Sequence, residues 1–161
     1  SSITNAQLSG VYTVGSLGGE DYNSLTNPGG FFFLFNTNGL SGNVTAQITS
    51  DLLNESGVVS INKWSRTWTV MIVQQSPSVK TIQHSGCSDH LIFFNKADNL
   101  TIDGRFNATG ADRFLHFNSD CNDRSVMRLD GDCQNVTIRN CVVASDNNQT
   151  SISTGGAIHV Y

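Results

Sequence analysis

Apolar and polar residues alternate in short runs along most of the chain, and almost nowhere do apolar residues recur at helical spacing. Asn43 to Thr49 shows the pattern most plainly, with Val44, Ala46 and Ile48 on one side and Thr45 and Gln47 on the other. The same period of two predicts strands at Val11–Val14, Trp68–Val73, Val79–Ile82, Leu91–Phe94, Leu100–Ile102, Phe114–Phe117, Val126–Leu129, Val136–Ile138 and Ala157–Tyr161. Trp68 alternates with Val70 and Ile72 and so reads as core. Between Thr49 and about Arg66 the composition turns polar, which predicts a loop. One helix is expected, from Pro28 to Asn38: Thr26 or Asn27 offers a cap, Pro28 suits a first turn and Gly39 a stop. Phe31, Leu34, Phe35 and Asn38 would share its face.

An internal repeat turns this series of strands into an architecture. Asn99-Leu100-Thr101-Ile102-Asp103-Gly104 aligns with Asn135-Val136-Thr137-Ile138-Arg139-Asn140 at an offset of 36, and upstream Phe93 falls on Leu129. A unit of several short strands without an intervening helix buries its apolar face best by stacking on a copy of itself, each coil ~4.8 Å above the last. The expected fold is therefore all-β, a right-handed parallel β-helix (β-solenoid) with a short N-terminal capping helix. Residues 1–66 would form the strand and capping segment and 67–161 the coils. In this register Leu100 and Ile102 face inward over Val136 and Ile138, and Asn99 stacks on Asn135. Asp103 faces Arg139, and Lys96 faces Asp132. No capping feature follows the last strand, so the final coil is expected to be continued by further coils or covered by copies of the chain arranged end to end.

Composition narrows the function classes. Gly, Ser, Thr and Asn make up 65 of 161 residues and only 14% are charged, which excludes a helical bundle. A net charge of −4 argues against a nucleic-acid partner. No apolar run approaches the ~18 residues of a membrane span, so membrane insertion is not expected. The chain opens at Ser1 without a Met or a basic-then-apolar leader and reads as a processed or partial product. Polar composition with four cysteines fits an exported, extracellular protein. Cys87, Cys121, Cys133 and Cys141 lack C-x-x-C spacing and are disulfide candidates. Cys87 and Cys121, 34 apart, sit nearly one coil apart and could bridge; Cys133 and Cys141 find no partner one coil away. Sequons occur at Asn43, Asn54, Asn99, Asn107, Asn135 and Asn148, as candidate glycosylation sites or, the reading favoured here, as turn and ladder chemistry.

Several segments recur in one order in a known family: Asp21-Tyr22-Asn23-Ser24-Leu25-Thr26, Gly29-Gly30-Phe31, Asn38-Gly39-Leu40-Ser41-Gly42-Asn43-Val44-Thr45, Thr81-Ile82, and Ala97-Asp98-Asn99-Leu100-Thr101-Ile102-Asp103-Gly104. In these the chain resembles large secreted β-helix proteins, adhesin-like and of pectate-lyase-like fold, from bacteria with a type IX secretion system. The resemblance implies an N-terminal β-helix module of a cell-surface protein and carries over no catalytic residue. The Phe-rich cap, the cysteines and the lack of a sorting domain depart from the family.

Candidate chemistry is sparse. Of the motifs used by pectin hydrolases, only Asn118-Ser119-Asp120 is approximated. Asp103, Asp130 and Asp132 could supply a carboxylate pair, but Arg139 and Lys96 offer two of them partners. Asp120, Asp123 and Arg124 form a possible fragment of a lyase site. His84-x-x-Cys87-x-x-His90, with Asp89, has ligand-type residues at close spacing but reads better as a turn holding a disulfide cysteine. No cofactor or metal is implied. Trp64, in a polar loop, is the candidate for stacking on a sugar ring. The expectation is an extracellular structural or adhesive module, self-associating end to end; the alternative is a carbohydrate-active or polysaccharide-binding β-helix.

Overall fold

The computed structural model describes residues 6–146 and 156–160. Its strands follow the chain in repeated sets of three: β1 (Leu8–Val14), then after the helix α1 (Phe31–Asn38) the sets β2 (Leu40–Ile48), β3 (Leu52–Glu55), β4 (Ile61–Asn62); β5 (Val70–Gln74), β6 (Lys80–His84), β7 (Ile92–Asn95); β8 (Asp98–Asp103), β9 (Leu115–Ser119), β10 (Ser125–Asp130); and β11 (Gln134–Arg139), β12 (Cys141–Ser145), β13 (Gly156–Val160). Each member of a set pairs in parallel with its counterpart in the next. Three parallel sheets result, β1-β2-β5-β8-β11, β3-β6-β9-β12 and β4-β7-β10-β13. The chain is a β-solenoid of about four turns with one short helix.

The core is a set of side-chain columns running along the solenoid. Val44, Val70, Leu100 and Val136 stack in register, as do Ala46, Ile72, Ile102 and Ile138. The second sheet contributes Leu52, Ile82, Phe117 and Val143, and the third Ile61, Phe94, Leu129 and Val160. Where the chain turns a corner, asparagines take positive φ, 52° at Asn99 and 56° at Asn135, and stack: Asn135 Nδ2 donates to Asn99 Oδ1 at 2.9 Å. Gly104 sits against the Asn140 carbonyl of the next coil so closely that no side chain fits.

Besides the unpredicted β12, three details depart from the expectations. First, β3 and β4 lie in the segment read as a polar loop, so the first full turn comes before residue 66. Second, Leu129 pairs with Phe94 rather than Phe93, because Gly131 adds a residue to the later corner and the offset there is 35, returning to 36 at Val136 on Leu100. The same insertion separates the expected Lys96–Asp132 pair; Asp132 instead accepts from Gln134 Nε2, at 3.2 Å and 3.3 Å. Third, the helix starts at Phe31 and neither Thr26 nor Asn27 caps it. Its first amides are satisfied by backbone, Phe31 N on Ser24 O and Phe32 N on Leu25 O, and Gly39 ends it at φ 71°.

α1 closes one end. Phe31, Phe32 and Phe35 are buried, and a chain of ring contacts runs from Tyr12 through Tyr22, Phe31 and Phe35 to Trp64. Glu55, 1% exposed, fastens the loop that leads into the helix. Its carboxyl oxygens accept from Ser24 Oγ, Leu25 N, Thr26 N and Thr26 Oγ1 at 2.6–3.1 Å.

Candidate functional site

The cysteine expectation resolves into one bridge and two thiols. Cys87 and Cys121 follow β6 and β9 at the same corner of adjacent coils, Cα atoms 5.3 Å apart, and form a disulfide. Cys133 and Cys141 are half-buried free thiols on the last coil, and burial pushes the Cys141 thiol up to about 12. A cluster of Cys87, Asp120 and Cys121 is close enough for a metal, but both sulfurs are already spent in the disulfide. The two histidines beside Cys87 do not converge on it. His84 Nδ1 meets Ser119 Oγ at 2.9 Å and its Nε2 faces Ser56 O at 3.3 Å. His90 Nδ1 accepts from Ser125 N, and its Nε2 faces Arg128. Burial holds both imidazoles below their ordinary pKa.

Trp64 does not serve as a sugar platform: it is 7% exposed, edge-on to Phe35 at 5.2 Å, with Nε1 donating to the Trp68 carbonyl. The short segment around it reads as polar in sequence, yet α1 packs the ring into the cap. Among the sequons, Asn43, Asn54, Asn107 and Asn135 are exposed and Asn99 is half-buried. Asn99 Nδ2, the atom that would carry a glycan, donates instead to Arg66 O, and Asn135 Nδ2 is committed to Asn99. Asn148 lies outside the described residues.

Of the carboxylates considered for catalysis, Asp103 is fully buried and held by Arg105 and Arg139 at 2.9 Å and 2.8 Å. Asp130 pairs with Arg128. Asp123 and Arg124 lie on the turn after β9, with Arg124 Nη1 donating to the Asp123 carbonyl. Asp120 differs. It joins Gln83, Asn118, Ser119, Ala144 and Asp146 around a polar cleft of about 270 Å³ on the outer face of the second sheet. Gln83, Asn118 and the short Ala144 stack in one outward column. Since Ser119 pairs with Ser145, the next residues, Asp120 and Asp146, stand on neighbouring coils, one strand spacing apart. Such a cleft offers amide and carboxylate groups to hydroxyl-bearing ligands. Gln83 and Asp146 were not singled out from the sequence, although Ser119-Asp120 over Ser145-Asp146 is a readable echo at an offset of 26.

A second surface is the end of the solenoid opposite the cap. The inward residues Leu100, Ile102, Leu115 and Phe117 have no exposure, whereas their partners one coil on, Val136, Ile138, Cys141 and Val143, are only partly buried. Ile158 and Val160, stacked on Met127 and Leu129, are 48% and 68% exposed. No family model matches the chain, and neither the curated proteins nor the solved structures contain a match to it.

Proposed function

We propose that the chain is a structural or adhesive solenoid module of an extracellular cell-surface protein. The observation that carries this reading is the Cys87–Cys121 bridge. It clamps two adjacent coils from outside, and such a bond persists in oxidising compartments. The resemblance to secreted β-helix proteins of bacteria with type IX secretion supports the same setting. Alkylation and mass analysis of the native protein, with impermeant labelling of intact cells, tests it. An oxidised Cys87–Cys121 pair in surface-labelled protein is expected; reduced cysteines in unlabelled protein would overturn the reading.

One observation favours the carbohydrate alternative, the cleft that brings Asp120, Asp146, Asn118 and Gln83 together. Two carboxyl groups and two amides match the hydroxyls of a polysaccharide, and two carboxylates within several ångströms are what glycan hydrolysis requires. Polysaccharide panels assayed for binding and for new reducing or unsaturated ends test it. Asp120→Ala should abolish any signal that belongs to this cleft.

A further inference from the structure

We infer that the open end is built to take one specific partner surface, another parallel solenoid coil laid on β11, β12 and β13 in the register that already joins the coils to one another. This rests on the structural reading above and names the chemistry of its partner. The interface being continued is the one repeated inside the molecule. Every column of inward side chains described above ends at this face, and its last members, Val136, Ile138, Val143, Ile158 and Val160, hold positions whose counterparts two coils earlier, Val70, Ile72, Ile82, Ile92 and Phe94, are fully buried.

The polar columns carry a direction as well. Asn99 Nδ2 donates to Arg66 O in the coil before it, Asn135 Nδ2 to Asn99 Oδ1, and Asn95 Nδ2 to Asn62 Oδ1. In each link the later coil supplies the amide nitrogen and the earlier coil the acceptor. Among the described residues no donor reaches Asn135 Oδ1, so this atom is the acceptor for an amide in a following coil. A buried polar column shows the same end effect. Glu55 pairs with His84, His84 Nδ1 meets Ser119 Oγ, and Ser119 pairs with Ser145, whose Oγ is buried and has no partner among the described residues. The fitting partner thus offers an amide donor over Asn135, a polar side chain over Ser145, and aliphatic residues over the inward columns.

The capped end of a second copy does not offer this. There the edges of β3 and β4 are already engaged: Asn27 Nδ2 donates to Asn54 O in β3, and Asn62 N of β4 donates to Asn36 Oδ1, whose Nδ2 donates to Ser60 O beside it. Even β1 is engaged on its outer side at Thr13, whose N donates to Asp21 Oδ2 and whose O accepts from Tyr22 N, so among the described residues a head-to-tail copy meets at most part of one sheet of three.

The experiment supplies a coil of known register. A copy of residues 95–130, with the copied Cys121 changed to Ser, is joined behind Val160, and the same segment is also added to the unextended chain as a free peptide. The fusion should raise Tm by about 5 °C, as an added nearest-neighbour interface does in a solenoid. Hydrogen exchange in β11, β12 and β13 should slow at least about tenfold. A fusion whose copied Leu100 and Ile102 are both changed to Lys should do neither. Unchanged Tm and exchange with both fusion and peptide would overturn the inference. So would sedimentation of the unextended chain as a dimer with β11–β13 already protected, which makes a second copy the occupant. The redox and surface-labelling result bears only on the molecule's setting, so the two readings fail separately.

Discussion

The two ends of this solenoid solve the same problem in opposite ways. A parallel sheet exposes a row of backbone groups at its last strand, together with the inward side chains that the next strand would cover. At the first end, α1 lays three buried phenylalanines over the columns, and Glu55 gathers four donors from the loop leading into the helix. At the last end the columns run out on half-buried Val136, Ile138 and Val143, and the buried Ser145 hydroxyl has no partner among the described residues. The same residue types sit in the same register, with the inward columns fully buried toward one end and half-buried at the other. Closure is therefore a local device of particular residues, and substitutions at matched positions should cost very different amounts.

The largest effect is expected at Glu55. Glu55→Ala leaves buried donors from Ser24, Leu25 and Thr26 without an acceptor and should destabilise by about 4 kcal/mol in urea titration. A loss below about 1 kcal/mol would show that α1 holds the cap without it. Next come two isoleucines in one column. Ile102→Ala opens a cavity among fully buried neighbours and should cost about 3 kcal/mol, whereas Ile138→Ala, one coil on, should cost about 1 kcal/mol. Equal losses would mean that something covers the last coil. Removing the disulfide in the Cys87→Ser, Cys121→Ser double variant should cost about 3 kcal/mol from the freedom of a loop of sequence separation 34. That loss should be shared by β6 and β9 and leave the cap's exchange rates unchanged.

The fold was legible where coils repeat with few changes and obscure where they do not. Leu100-Thr101-Ile102 over Val136-Thr137-Ile138 announces itself, because inward aliphatics and corner asparagines recur together. The steps along that sheet are unequal, however: Val44 to Val70 is 26 residues, Val70 to Leu100 is 30, and Leu100 to Val136 is 36. No single period finds all the coils. β3 went unread because its second inward residue is Glu55, a buried acid that breaks the apolar alternation. β4 is only two residues long. β12 follows β11 after Asn140 alone, so Cys141–Ser145 reads as a tail of the preceding strand. The cleft was half legible: Asn118 and Asp120 stood out as a motif fragment, while Asp146 joins them only through a coil step of 26 that the 36-residue repeat conceals. Trp64 misled because the polar composition around an aromatic does not reveal which helix will fold over it.

Acid should separate the two ends most selectively, through Asp103. Buried between coils, this carboxylate is held by the guanidinium of Arg105 on its own coil and of Arg139 on the last one, and it falls from 3.8 to about 2. An acid whose pKa is lower in the folded than in the unfolded state adds stability that is complete above the unfolded value. That stability is lost as pH falls through the folded value. The window is therefore from about pH 4 down to about pH 2, and the loss is about 2 kcal/mol. Since Arg139 belongs to β11, protonation releases the terminal coil, so exchange in β11 should accelerate before that of α1. Other carboxylates held low, such as Asp21, titrate nearby, so the comparison is with Asp103→Asn, which keeps the shape and removes the titration. The variant should be weaker at pH 6 and lose less stability than the parent on going to pH 2.5. Equal pH dependence in the two proteins, or an α1 that loosens first, would show that this ion pair does not hold the open end.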